Sequence, residues 1–431
     1  MRILFLLFFY FVSIGQVLAN STIPGPRDCF WARGPISSDP YINIAYPDSN
    51  VYYWAAVFSM PEGSTLEVKG DYPYSRYMSF FSYNERGKPI GSLTDYQIQS
   101  QSINPFISGN QRTDFFRSYT IKVLNEYPSP NRVITVNTLY APEYRKKQQT
   151  IVYRVYLPDK NIDITGGVKL PQPVLTLADG TKLTGKQTCE ALNSSQPLQV
   201  SFDALGIPPN DYRRLTSQPD KPDTWPAHNP PKWFIQLDRK SLIGMYTGKI
   251  DPNAPRSEGG FYPNLDNQYI RTILNRKHGK VLIIRGKAPI SPQTYEGEIK
   301  AEQTDVRYWS LCSNQSFVNT RVNDCLFDEE VPTDKNGFYT IAISRAEDRP
   351  RNAVNECGMA WLPMADDGDG MFDDDVTIIQ FRHLLPSNNF EHSIQKVERQ
   401  DQLRDVMGPY MPKARYLMPN QVETFFPCSS K

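Results

Sequence analysis

The chain has 431 residues and a formal net charge of +1, so no field steers it towards nucleic acid or an anionic surface. Its length suits two ordinary domains of roughly 150–200 residues. With 36 prolines, 25 tyrosines and 22 phenylalanines it has the aromatics and turn formers of β-rich domains with ordered loops.

Residues 1–19 read as a signal peptide: Met1-Arg2 supplies charge, Ile3 to Val12 is apolar, and Val17-Leu18-Ala19 is a small-residue cleavage site. The apolar run is too short to span a bilayer, and no other long one follows. Residue 20 is Asn rather than Cys, which argues against a lipoprotein anchor. The expectation is a secreted or periplasmic protein with no membrane span after signal removal.

Six cysteines in an exported chain imply three disulfides. Cys312 and Cys325 pair locally in a strand–loop–strand. The other two pairings stay open, with Cys29–Cys189 and Cys357–Cys428 as the first choices.

After an arm over 20–45, the chain carries one pattern twice. Tyr46-Pro47, Tyr53, Gly63, Gly70 and Pro73 return at one constant displacement as Tyr262-Pro263, Tyr269, Gly279, Gly286 and Pro289. Arg76-Tyr77-Met78-Ser79-Phe80 returns as Arg307-Tyr308-Trp309-Ser310-Leu311, after an insertion over 290–304 that holds Glu296 and Glu298. Within each copy, Tyr53, Trp54, Val57 and Phe58, and their counterparts Tyr269, Ile270, Ile273 and Leu274, have the spacing of one face of a short helix. Gly63 and Gly279 stop that helix. Six-residue strands follow, 64–69 and 280–285, each ended by Gly70 or Gly286. Further strands lead to Arg154-Val155-Tyr156-Leu157-Pro158 and Arg382-His383-Leu384-Leu385-Pro386.

This predicts a mainly β fold with a few short helices, in two duplicated β-sandwich or jelly-roll-like domains. The first covers 20–205 and the second 233–400. Residues 206–232 form a stiff, extended proline-rich connector, and 401–431 a C-terminal tail. Phe390 to Met407 reads as helical up to Gly408-Pro409.

The Arg-Tyr-x-Ser strand is the main polar candidate. Arg76 and Arg307 lie on apolar faces and need partners if buried. Asp95 and Asp328, at matched places on the following strands, predict the pairs Arg76–Asp95 and Arg307–Asp328. Tyr77 and Tyr308 are the matching ligand-binding candidates, for an anion or a sugar. The architectural reading is preferred, since features present in both copies are better explained by the shared fold than by a site.

Asp367, Asp369 and Asp373, in D-x-D-G-x-x-D, are candidate calcium ligands, because closely spaced carboxylates on a glycine-turned loop supply hard oxygens. The run lacks the fifth-position Asp/Asn and the twelfth-position Glu of an EF-hand, and an acidic solvated loop is the preferred reading, since acidic turns are common in loops. No other cofactor is implied. HExxH, GxSxG and P-loop patterns are absent from the sequence.

The runs at 70–80, 285–289 and 307–311 resemble uncharacterised exported bacterial proteins and, distantly, tandem β-sandwich envelope proteins of unknown function. The resemblance implies architecture and no activity. The expected function is an exported, non-enzymatic binding or interaction protein with an unknown protein or carbohydrate partner. The alternative is a secreted hydrolase acting on carbohydrate through acidic residues at the domain junction, with Glu296 and Glu298 the first to test.

Overall fold

The computed structural model describes residues 29–38, 42–128, 136–144, 147–196, 206–217, 226–257, 262–300 and 302–428. Residues 1–19, read as a signal peptide, lie outside this set. Among the described residues the first half supplies β1 (Arg33–Ile36), β2 (Val51–Phe58), β3 (Thr65–Asp71), β4 (Ser75–Tyr83), β5 (Pro89–Thr94), β6 (Ser118–Leu124), β7 (Thr138–Tyr140), β8 (Gln149–Pro158), β9 (Gln172–Thr176) and β10 (Lys182–Thr184). They form two sheets, ordered β1-β2-β8-β4-β5 and β10-β9-β3-β6-β7. Trp31, Phe80, Tyr153, Leu66, Ile121 and Leu175 pack between them.

The second half supplies β11 (Phe234–Ile235), β12 (Asn267–Asn275), β13 (Val281–Lys287), β14 (Val306–Asn314), β15 (Val322–Phe327), β16 (Phe338–Ser344), β17 (Ala360–Pro363), β18 (Val376–Pro386) and β19 (Lys413–Leu417). Its sheets run β11-β12-β18-β14-β15 and β17-β16-β13-β19. The five-stranded sheets β1-β2-β8-β4-β5 and β11-β12-β18-β14-β15 run in like order, and β9-β3-β6-β7 resembles β19-β13-β16-β17 with its parallel pair, while β10 has no counterpart among the described strands. The fold is mainly β, in β-sandwich-like units with a few short helices.

Several expectations are corrected. Val51–Phe58 and Asn267–Asn275 are strands, not helices. Each lies one place in from a sheet edge and is largely buried on both faces, so apolar residues need not alternate with polar ones. Gly70 and Gly286 lie inside β3 and β13 rather than ending them. They sit in register with Tyr119 and Tyr339 of the neighbouring strands. A Cβ at either glycine would fall 2.7 Å from the tyrosine hydroxyl, so the glycine makes room for the ring.

The stretch read as an extended connector contains a helix, Pro209–Thr216, whose Tyr212 and Leu215 are buried in the second core. Residues 218–225 lie outside the described set. The region read as a tail supplies β19, paired with β13, and a helix, Pro419–Phe425. Between Phe390 and Met407, two 3₁₀ turns and a five-residue helix, Leu403–Met407, replace the single helix expected.

All three disulfides form as expected: Cys29–Cys189, Cys312–Cys325 and Cys357–Cys428. Cys312 and Cys325 are register partners on β14 and β15. No helix among the described residues is long and apolar enough to cross a membrane.

Candidate functional site at the seam between the halves

Each sandwich has a second buried face. Val51, Tyr77, Tyr156 and Leu157 of the first half cluster with Tyr308, Phe327 and Leu384 of the second. The sheets holding β4 and β14 therefore meet across a seam. The Arg-Tyr-x-Ser strands lie along it.

The predicted ion pairs are crossed. Arg76 does not pair with Asp95 of its own half. Its Nη1 donates to Asp328 at 2.7 Å, its Nη2 to Glu329, and its Nε to Thr294 at 2.6 Å, all in the second half. Arg307 in turn lies 3.4 Å from Asp95. Near-symmetric halves brought face to face let the same four residues pair within or between halves, and the structure has the pairing between them. Asp95 and Asp328 also accept the backbone N–H of Met78 and Trp309 in their own halves, which fixes each carboxylate under its own strand.

Tyr77 and Tyr308 are fully buried, so their polar ends are turned inward and not to a ligand. Tyr77 donates to Asp266 at 2.7 Å, and Tyr308 to Asp48 at 2.9 Å, again across the seam. Burial, then the neighbouring Asp266 or Asp48, pushes both phenols well above their ordinary range. Asp48 also accepts from Ser310 at 2.7 Å and pairs with Arg382 at 3.2 Å.

The Tyr-Pro arms before β2 and β12 are exchanged as well. Tyr46 packs edge-on against Phe317 of the second half, and its N–H donates to the carbonyl of Thr320. Tyr262 packs against Tyr83 of the first half, and its N–H donates to the carbonyl of Gly87. Both have φ of 50°, a left-handed conformation that is a genuine outlier for a bulky residue.

The insertion over 290–304 fastens the same seam. Glu296 pairs with Lys160 at 2.9 Å. The Glu298 carboxylate accepts the N–H of Gln293, while its carbonyl accepts from Arg112 at 2.8 Å. The Arg112 N–H donates to Ile299 at 2.8 Å. The Glu296 side chain and the Glu298 backbone thus make contacts that bind the halves to each other.

The acidic loop is organised by its own backbone. Asp369 is buried; its Oδ1 accepts the N–H groups of Met371, Phe372 and Asp373, and its Oδ2 accepts from Tyr212 at 2.8 Å. Asp367 accepts from Gln315, and Asp373 from the N–H of Asp375. The structure does not gather the three carboxylates round a common point: each is turned to its own partner. Beside them an open polar hollow of 330 Å³ is lined by Asn43, Gln315, Arg321, Asn323, Asp366 and Asp367 among others.

Residues whose part in the seam the sequence did not suggest are Arg154, Arg382 and Glu329, with Asp48 and Asp266, which read instead as the starts of the two expected helices. Arg154 and Arg382 were visible as a repeated Arg in the last matched strand. Asp48 and Asp266 were masked because their matched places hold Asn264 and Asn50. A second group is the loop from Asn104 to Arg117. The Arg117 guanidinium donates to the carbonyls of Tyr72, Pro73 and Arg112 and stacks 3.6 Å over Tyr74. Arg112 donates to Asp159 at 2.6 Å. Between these two anchors, Phe115 and Phe116 are 88% and 78% exposed.

No family model matches the chain, and no curated protein does. Two solved structures are similar along most of it. One is an uncharacterised protein from Burkholderia cenocepacia, 10% identical, covering 89% of this chain and 80% of its own, with a TM-score of 0.45. The other is a protein from Vibrio parahaemolyticus, also 10% identical, covering 86% and 90%, with a TM-score of 0.41. The chain is distantly similar to uncharacterised bacterial proteins.

Proposed function

We propose that this chain is an exported, non-enzymatic interaction protein whose two sandwiches act as one rigid platform. The observation that carries this is the seam: Arg76, Tyr77, Asp95, Tyr308 and Asp328, the strongest polar candidates in the sequence, are buried there, and with the half-buried Arg307 they find partners across the seam. Buried, mutually hydrogen-bonded charges rigidify an interface rather than meeting a substrate. Three disulfides suit an oxidising compartment, which supports export. Phe115 and Phe116, held out by the loop anchored through Arg112 and Arg117, support a role in contact, because pinned and exposed large apolar side chains are informative where scattered ones are not.

The test sets purified protein, with a Phe115→Ser/Phe116→Ser variant beside it, against a glycan array, chromogenic glycosides and fractionated envelope proteins. Retention of one defined partner by the parent, lost in the variant, supports the reading. Turnover of a glycoside that depends on Glu296 or Glu298 would replace it with the hydrolase.

A further inference from the structure

We infer that the seam is a proton-responsive joint, held more tightly in mild acid than at neutral pH. Apart from the Lys160 and Arg112 contacts with the insertion, its charges are unbalanced. Asp48, Asp95, Asp266, Asp328, Glu329 and Glu330 outnumber Arg76, Arg307 and Arg382. Arg154 adds a fourth guanidinium but donates to the Tyr83 hydroxyl and the Tyr262 carbonyl rather than to a carboxylate.

The two sides of the crossed exchange are also unequal. Arg76 lies between Asp328 and Glu329. The first half has Tyr96 at the place matching Glu329, so Arg307 has Asp95 alone, at 3.4 Å. Asp95 is fully buried. It faces Arg307 from β14, Asp266 from the arm before β12, and the phenols of Tyr72 and Tyr96.

Glu330 shows the same imbalance. Gln97 closes the turn after β5 by accepting the N–H of Thr94 at 2.9 Å. At the matched place Glu330 accepts the N–H of Phe327 at 3.2 Å. A neutral side chain therefore suffices where the second half has an acid. Glu330 faces Asp324 from β15, Asp48 from the first-half arm and Asp328 from its own turn.

Burial, opposed by Arg307, pushes the Asp95 carboxyl up to about 6. Burial, opposed by the Phe327 N–H, pushes Glu330 up to about 7. A carboxyl raised in the folded state binds its proton more tightly there than in the unfolded chain. The stabilisation this gives is present below the ordinary carboxylate range and is lost as pH rises through the folded value. For these two groups the window runs from about pH 4 to about pH 7. His383, whose buried ring is pushed down to about 3, titrates in the opposite sense, as does His228, so the effect is read as a difference between variants.

The test follows thermal unfolding and hydrogen exchange of the full chain from about pH 5 to about pH 8, for the parent, Glu330→Gln and Asp95→Asn. Both variants should melt above the parent at the upper pH, with the gap closing towards the lower one. Protection in 92–98 and 326–331, after correction for the intrinsic fall of amide exchange with pH, should rise on acidification in the parent and stay level in the variants. A gap that is constant with pH, or that favours the parent at the upper pH, overturns the inference. Gln97 shows that glutamine fits this turn, so Glu330→Gln decides the matter even where Asp95→Asn does not fold.

Discussion

Arg76 and Asp328 come from opposite halves of the chain and meet at 2.7 Å, with side chains 0% and 1% exposed. Removing one member of such a pair leaves the other charge buried without its partner. Arg76→Met or Asp328→Ala is therefore expected to lower stability by about 3–5 kcal/mol. A double-mutant cycle distinguishes pairing between halves from pairing within one. Measured by urea unfolding, coupling between Arg76 and Asp328 should reach at least about 1 kcal/mol, and coupling between Arg76 and Asp95 should stay within about 0.5 kcal/mol. Equal coupling in the two cycles would contradict the crossed arrangement.

What could be read in advance was register, not partnership. Matched spacing put Arg76 beside Asp95 in one domain and Arg307 beside Asp328 in the other, whereas the partners are exchanged across the seam. The pairs predicted within each half failed because the matched Arg and Asp residues offer the same chemistry within and across halves. The helix expected at Tyr53 to Phe58 failed for a different reason. Once both faces of a strand are buried, period two disappears, and Tyr53, Trp54, Val57 and Phe58 match a helical stripe by chance. Their β-branched and aromatic character was the better cue. Asp48 and Asp266 were hidden because an acid and an amide trade places between the halves.

Gly286 and Tyr339 give a prediction about packing. A Cβ on Gly286 would lie 2.7 Å from the Tyr339 hydroxyl, which is buried with no hydrogen-bond partner among the described residues. Gly286→Ala should cost about 1–3 kcal/mol through overpacking. Tyr339→Phe removes the crowding atom together with a buried unsatisfied group, and should be neutral or stabilising by about 1 kcal/mol. Combined with Gly286→Ala it should restore part of the loss. Additive melting-temperature changes in the double variant would show that the two side chains do not conflict.

His383 sets part of the acid limb of stability. Its ring is fully buried, Nδ1 accepts the N–H of Ile394 at 3.2 Å, and burial pushes its pKa down to about 3. A histidine lowered on folding contributes stability that is present above its unfolded value and is lost as pH falls towards the folded one. Between about pH 6.5 and about pH 4 this loss should approach about 3 kcal/mol. His383→Asn keeps an acceptor for Ile394 and removes the titration. It should lower stability at neutral pH yet flatten the decline below about pH 6.5. An unchanged acid limb in the variant would assign that limb to other groups.

The acidic loop tests whether a carboxylate that already has partners still needs an ion. Three backbone N–H groups converge on Oδ1 of Asp369, and the Tyr212 hydroxyl donates to Oδ2. Asp369→Ala strips partners from all four donors and should cost about 2–4 kcal/mol. Asp369→Asn retains an acceptor for the N–H groups and offers an amide to Tyr212, so its loss should be nearer about 1 kcal/mol. Calcium would have to displace donors already bound to Asp369 and draw Asp367 and Asp373 away from Gln315 and Asp375. We therefore expect the parent to melt at the same temperature in chelator and in millimolar calcium, with no binding heat on titration. A calcium-dependent rise in melting temperature, abolished by Asp369→Asn, would show that the loop rearranges round an ion and that the hydrogen bonds described belong to its metal-free form.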